Sequence, residues 1–172
     1  MPKKLTLFLL CCALSGAALA QPSGSEASLK AVFIYNFTRY IEWDSTSNAD
    51  HDFVIGVIGT SPVANALIEI ASNNRVNNKR IFIQRFNKPE EINHCQILFI
   101  PQHCPYSLPS ILSKVGKGVL TVGEEPGMAK QGMAMNFVLV KDKLKFEANL
   151  KTLFLAGLKA SSQLLKLAII VD

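Results

Sequence analysis

What this 172-residue chain has little of narrows its chemistry first. It holds one tryptophan and four cysteines. It has no glycine-rich phosphate loop. The turn Gly59-Thr60-Ser61-Pro62 could receive an anion at a helix N-terminus, but it lacks the spacing and lysine of a P-loop and the three glycines of a dinucleotide fingerprint. A plain capping turn is the simpler expectation, with Ser61 as N-cap and Pro62 in the first helical position. There is no repeat, low-complexity segment or domain linker. No apolar run reads as a membrane span. Leu5 to Leu14 is too short, and the apolar tail from Leu153 to Val171 is interrupted by Lys159, Ser161, Ser162, Gln163 and Lys166.

The first twenty residues read as an export signal. Lys3 and Lys4 form a positive start, Leu5 to Leu14 an apolar centre, and Ala18-Leu19-Ala20 a small-residue cleavage box before Gln21. Cys11 and Cys12 lack a preceding small residue, which argues against lipidation. The expected organisation is a cleaved signal at 1–20, a flexible lead at 21–28 and a single domain over 29–172. The expected product is soluble and exported, and the periplasm is its compartment. Cleavage removes two lysines from a net charge of +5 and leaves about +3. That excess is too small for a nucleic-acid surface or a polybasic membrane patch. Some 49% of residues are hydrophobic, and the roughly 150 residues left can build one core without disulfides.

Cleavage also leaves only Cys95 and Cys104. In an oxidising compartment two cysteines would by default pair. Here Cys95 opens a segment that reads as a buried strand, Cys95 to Pro101, and Cys104 follows its end. Such a strand runs roughly 17–20 Å. The three steps from Pro101 to Cys104 recover at most about 10 Å, whereas a disulfide needs Cα atoms within about 7 Å. The two thiols are therefore expected to stay unpaired.

Aromatics are few, 14 in all, but five of them crowd into Leu29–Trp43: Phe33, Tyr35, Phe37, Tyr40 and Trp43. Leu29, Phe33, Phe37 and Tyr40 fall on one helical face and predict an amphipathic first helix. Strand and helix then alternate. Strands are expected at Phe53–Ile58, Ile81–Phe86 (toward an edge), Ile97–Ile100 and Gly118–Val122. Helices are expected at Ala64–Ala71 and Leu108–Val115. Met133–Val140 and Lys143–Glu147 form a hairpin around Lys141-Asp142, and a last helix runs from near Asn149 to about Leu167. The fold class is α/β: a sandwich with a mainly parallel central sheet of five to six strands, a C-terminal β-hairpin and flanking helices.

The wording of these segments resembles the YfiR family of periplasmic proteins. Ile34-Tyr35-Asn36-Phe37 with Tyr40, Glu42 and Trp43 is similar to the family's opening "IYNF…Y.EWP", with Asp44 where proline is usual. Cys95 to Ile100 resembles "C.ILFI", and Val119 to Val122 resembles "VLTV". Gly132 to Phe137 is similar to "GG.INF", with Gln131 in place of the first glycine. Lys145 to Asn149 resembles "RFEIN", and Gly157 to Leu165 resembles "GLKISS.LL". These elements occur in family order from Leu29 to Leu167. The resemblance implies a non-enzymatic periplasmic regulator, without cofactor, that binds the sensor part of an inner-membrane diguanylate cyclase or similar signalling protein and restrains it. Apart from the resemblance, a homodimer formed through an apolar helix is expected, not itself inserted in the membrane. Asn36, Trp43, Asn136 and Asn149 match the family motifs and are the candidates for partner binding. For the two later asparagines, satisfaction of buried backbone groups at strand ends is the simpler role.

The rival is a small-molecule binding protein or thiol enzyme using a pocket near His103 and Cys104, beyond the carboxyl end of a central strand. His94-Cys95 and His103-Cys104 could suggest a zinc site, but the intervening strand separates them beyond coordination distance. No catalytic residue or metal ligand is expected. Lone His51 reads as a solvated loop residue.

Overall fold

The computed structural model describes residues 23–43 and 52–171, with side chains from residue 26 onward. The expected export signal, Asp44 and His51 lie outside the described residues.

Helix α1 (Ser23–Tyr40) begins inside the stretch expected to be flexible. Its buried stripe is Ala27, Ala31, Ile34 and Phe37, with Thr38 beside it and buried Ile41 just beyond its end. The expected stripe is thereby corrected: Leu29 and Tyr40 are 45% and 36% exposed. The small alanines let the helix approach its neighbours closely, and partly buried aromatics take its flank. Phe33 sits on that flank, 5.8–6.5 Å in ring-centroid distance from Phe37, Phe137 and Phe146.

The chain continues through β1 (Ile41–Glu42), β2 (Phe53–Ile58), α2 (Pro62–Asn73), β3 (Arg75–Val76) and β4 (Lys79–Phe86). Then come β5 (Ile97–Ile100), α3 (Leu108–Leu112), β6 (Leu120–Gly123), β7 (Met135–Val140) and β8 (Lys143–Asn149). The last part holds α4 (Leu150–Leu155), β9 (Lys159–Ala160), α5 (Ser162–Leu165) and β10 (Ile169–Val171). Eight strands form one sheet in the order β10-β8-β7-β6-β5-β2-β4-β3. From β4 through β2, β5 and β6 to β7 every pairing is parallel. The β7–β8 hairpin and the β3–β4 turn are antiparallel. The α/β class with its mainly parallel centre is as expected, and the short β3 and β10 widen the sheet at both edges. β1 and β9 make a separate antiparallel pair.

Period-2 alternation divides the core between the two faces of the sheet. Ile55, Val57, Ile97, Phe99, Leu120 and Val122 pack with α1 and α2, whereas Ile58, Phe86, Leu98 and Ile100 pack with Ile111, Met128 and Met133. Ser61 caps α2 as its sequence suggests: its Oγ accepts from Val63 N–H at 3.2 Å, with Pro62 next. The hairpin turn is also as expected, Lys141 and Asp142 both taking left-handed φ of 51° and 58°.

The single helix expected from Asn149 to Leu167 does not form. Gly157 adopts φ +75° and ends α4, where the N–H groups of Gly157 and Leu158 bond back to the carbonyls of Phe154 and Leu153 at 3.0 and 2.9 Å. No atom lies within 4 Å of where a Gly157 Cβ would stand, so the glycine serves the turn and not close helix packing.

Candidate functional site

The parallel strands give the molecule two ends. β2 leads to β4 on one side of itself, and β5 returns on the other, so the carboxyl ends of β2 and β5 flank a topological switch point. Gly59 to Ser61 and Pro101 to Cys104 lie there. Ser61 is buried, and its hydroxyl is engaged as the cap of α2. His103 sits at φ +59° in the turn after β5. Half-buried Cys104 lines a cavity of about 290 Å³ with Tyr106, Glu125, Met128 and Gln131, and His103 is not part of that lining. The imidazole and the thiol are thus not presented to one space.

A much larger recess, about 1220 Å³, opens at the opposite, amino end of the strands. Its apolar lining includes Ile41, Trp43, Phe53 and Val119, and its polar lining includes Arg39, Asp52, His94, Lys114 and Lys117. Gln96 organises this end. Its side-chain oxygen accepts from Val54 N–H at 2.7 Å, its backbone N–H donates to Val54 O, and its carbonyl accepts from Leu120 N–H and from Trp43 Nε1 at 3.2 Å. The amide nitrogen of Gln96 lies 3.1 Å from His94 Nε2. Trp43 is fixed a second time by edge-on packing against Phe53, 5.3 Å between centroids at 89°. Cys95 borders the same recess, but burial pushes its thiol up to about 12, against a smaller opposing hydrogen bond with the Gly56 backbone. It stays protonated and is a poor nucleophile.

Asn136 and Asn149 occupy the carboxyl-end side of the sheet, remote from Trp43. Asn149 caps α4, its Oδ1 accepting from Thr152 N–H at 2.8 Å while Nδ2 donates to Ala129 O at 2.9 Å. Asn136 is fully buried and donates to Glu147 Oε2 at 3.1 Å. Its Oδ1 has no partner. It lies so close to Gly123 that a Cβ there would meet it at 2.9 Å and Met128 Sδ at 2.6 Å. Asn149 thus serves buried backbone groups, whereas Asn136 bonds a side chain. Asn36 is half-buried on α1, and the four motif residues do not converge on one site.

At the same end an ion pair ties α1 to the sheet. Lys30 Nζ lies 2.6 Å from Glu124 Oε2 and 2.7 Å from Glu26 Oε1, and Glu124 Oε1 also accepts from Gln102 N–H. Burial works against the Lys30 charge, but its hydrogen bonds to Glu124 and Glu26, with their attraction, outweigh that and raise its pKa. Among the described residues no group of three His, Cys, Asp or Glu side chains is placed to hold a metal ion.

Sequence reasoning missed Gln96 and the Lys30–Glu124 pair. A signal existed for the first: a lone amide inside the apolar run Cys95–Ile100 must serve buried backbone. None existed for the second, whose partners are 94 positions apart. A family model described as YfiR/HmsC-like matches residues 27–169. No curated protein matches the chain.

Proposed function

The chain belongs to the YfiR/HmsC-like family, and from that premise we propose that it is an exported periplasmic regulator that binds the periplasmic part of an inner-membrane diguanylate cyclase or similar sensor. The observation that carries this reading is the family match across almost the whole described domain. Among the described residues no helix is long and apolar enough to cross a membrane, so contact with a membrane signalling protein would be made from its exposed part. An exported domain acts on such a partner only by binding one of its states better than another. Residues 1–20 serve as the export signal and the domain beyond them as the regulator.

Two measurements test the proposal. Capture from detergent-solubilised inner membranes should enrich a sensor carrying a cyclase domain, and deleting the protein should raise cyclic-di-GMP. Unchanged nucleotide with no sensor captured would reject the reading. Mass spectrometry of the periplasmic product should find Gln21 as the first residue. The alternative, small-molecule binding, has its best space not beside Cys104 but in the recess over Trp43 and Gln96.

A further inference from the structure

β4 is eight residues long, yet β3 pairs with it only at Lys79 and Arg80. The parallel register with β2 turns Phe86 inward, where its carbonyl accepts from Gly59 N–H at 2.8 Å. Alternation along an extended strand then turns the N–H and C=O groups of Ile81, Ile83 and Arg85 outward. Among the described residues no strand pairs with Ile83 or Arg85, whereas the Arg75–Arg80 bridge to β3 already engages the Ile81 N–H. Phe82 stands on this strand 55% exposed. From Arg75 to Lys88 the chain carries the cations Arg75, Lys79, Arg80, Arg85 and Lys88 and no acid. Arg80 is forked onto Asp52 at 3.2 and 3.0 Å but its side chain remains 74% exposed, and Arg85 donates to Asn65 Oδ1 at 2.6 Å.

We propose that the free edge of β4 docks an extended, acidic segment of a partner protein, which adds to the sheet as a further strand. The outward backbone groups supply the pairing, Phe82 offers an apolar contact to alternate side chains, and the cations select acids among the rest. A second copy of this chain would set the same cations against each other, so charge favours a partner of opposite sign over self-pairing. The inference rests on the reading of the protein as a partner-binding regulator and gives that contact its chemistry.

The probe is a labelled peptide of alternating valine and glutamate, as long as β4, with a valine–lysine peptide as control. The acidic peptide should bind by fluorescence anisotropy and slow hydrogen exchange at the amides of Ile83 and Arg85. Arg85→Pro removes one outward N–H and leaves the ladder to β2 intact. It should weaken binding by about tenfold or more at an unchanged melting midpoint. Arg85→Gln keeps the N–H and should lose less. If Arg85→Pro does not fold, amide protection in the unaltered protein decides. Equal binding of the lysine peptide, or binding that leaves those amides unprotected, overturns the proposal. So does a dimer that dissociates on Arg85→Pro, which would put a second copy on the edge. Sensor capture undiminished by Arg85→Pro would overturn this inference and leave the regulatory reading standing. Protected amides with no sensor captured would do the reverse.

Discussion

Gln96 shows how one side chain can hold an end of a sheet. Its amide oxygen serves Val54 N–H, where the amino end of β2 meets the lead into β5. Gln96→Leu keeps the bulk but leaves that N–H unpaired. The expected loss is about 1–3 kcal/mol, read as a fall in melting midpoint of about 2–4 °C for each kcal/mol. Trp43 donates to the backbone carbonyl of residue 96, not to its side chain, so tryptophan emission should hardly move. Cys95 gives a second prediction at this scale. Its folded pKa is raised from 9.0 to about 12. Below pH 9 both states hold the proton and the thiol adds no slope. Between pH 9 and about 12 the unfolded chain releases the proton first, so stability falls as pH rises through that window. Urea midpoints above pH 9 should decline less in Cys95→Ala than in the parent, and parallel declines would remove the effect.

At the scale of elements, local chemistry was readable and pairing was not. Ser61-Pro62 announces the start of α2, and the apolar runs of β2 and β5 announce strands covered on both faces, because the signals lie within a few residues. β9 and β10 are two and three residues long and exist only because a distant strand receives them. The face of α1 was misjudged because the spacing of Leu29, Phe33, Phe37 and Tyr40 was followed, whereas the buried stripe joins Phe37 to Ile34, Ala31 and Ala27. Of the candidate site, the structural duty of Asn149 was foreseeable from its place before a helix. The recess at the amino end was not, since residues from Arg39 to Gly157 must fold together to line it. Gly157 was visible but its backbone was not. Gly157→Ala has room for its methyl yet keeps the left-handed φ. It should cost about 1–2 kcal/mol in chemical denaturation without adding helix by far-ultraviolet circular dichroism. A gain in helical signal would show that α4 and α5 are one helix held apart by this residue alone.

Over the whole molecule, two apolar layers share one sheet, with Ile97 and Phe99 facing α1 and Leu98 and Ile100 facing α3 on the same strand. Neither layer can dissolve without stripping β5 of half its cover, so unfolding should be a single transition. The lone tryptophan reports one side through Phe53, and labelling of the Cys95 thiol reports the other. Their urea midpoints should coincide, and separate midpoints would reveal two cooperative units. The pairing of Ile41 with Ala160 carries one more consequence. A segment near the front of the chain is closed by one near its back, and Phe33 and Phe37 wait for Phe137 and Phe146. Emerging front first from a ribosome or a translocation pore, the leading helix can meet α2 early, but its aromatic flank stays uncovered until the last strands arrive. The chain thus remains threadable for most of its passage, exposed to chaperones and proteases, and commits to its native form only when almost all of it is through.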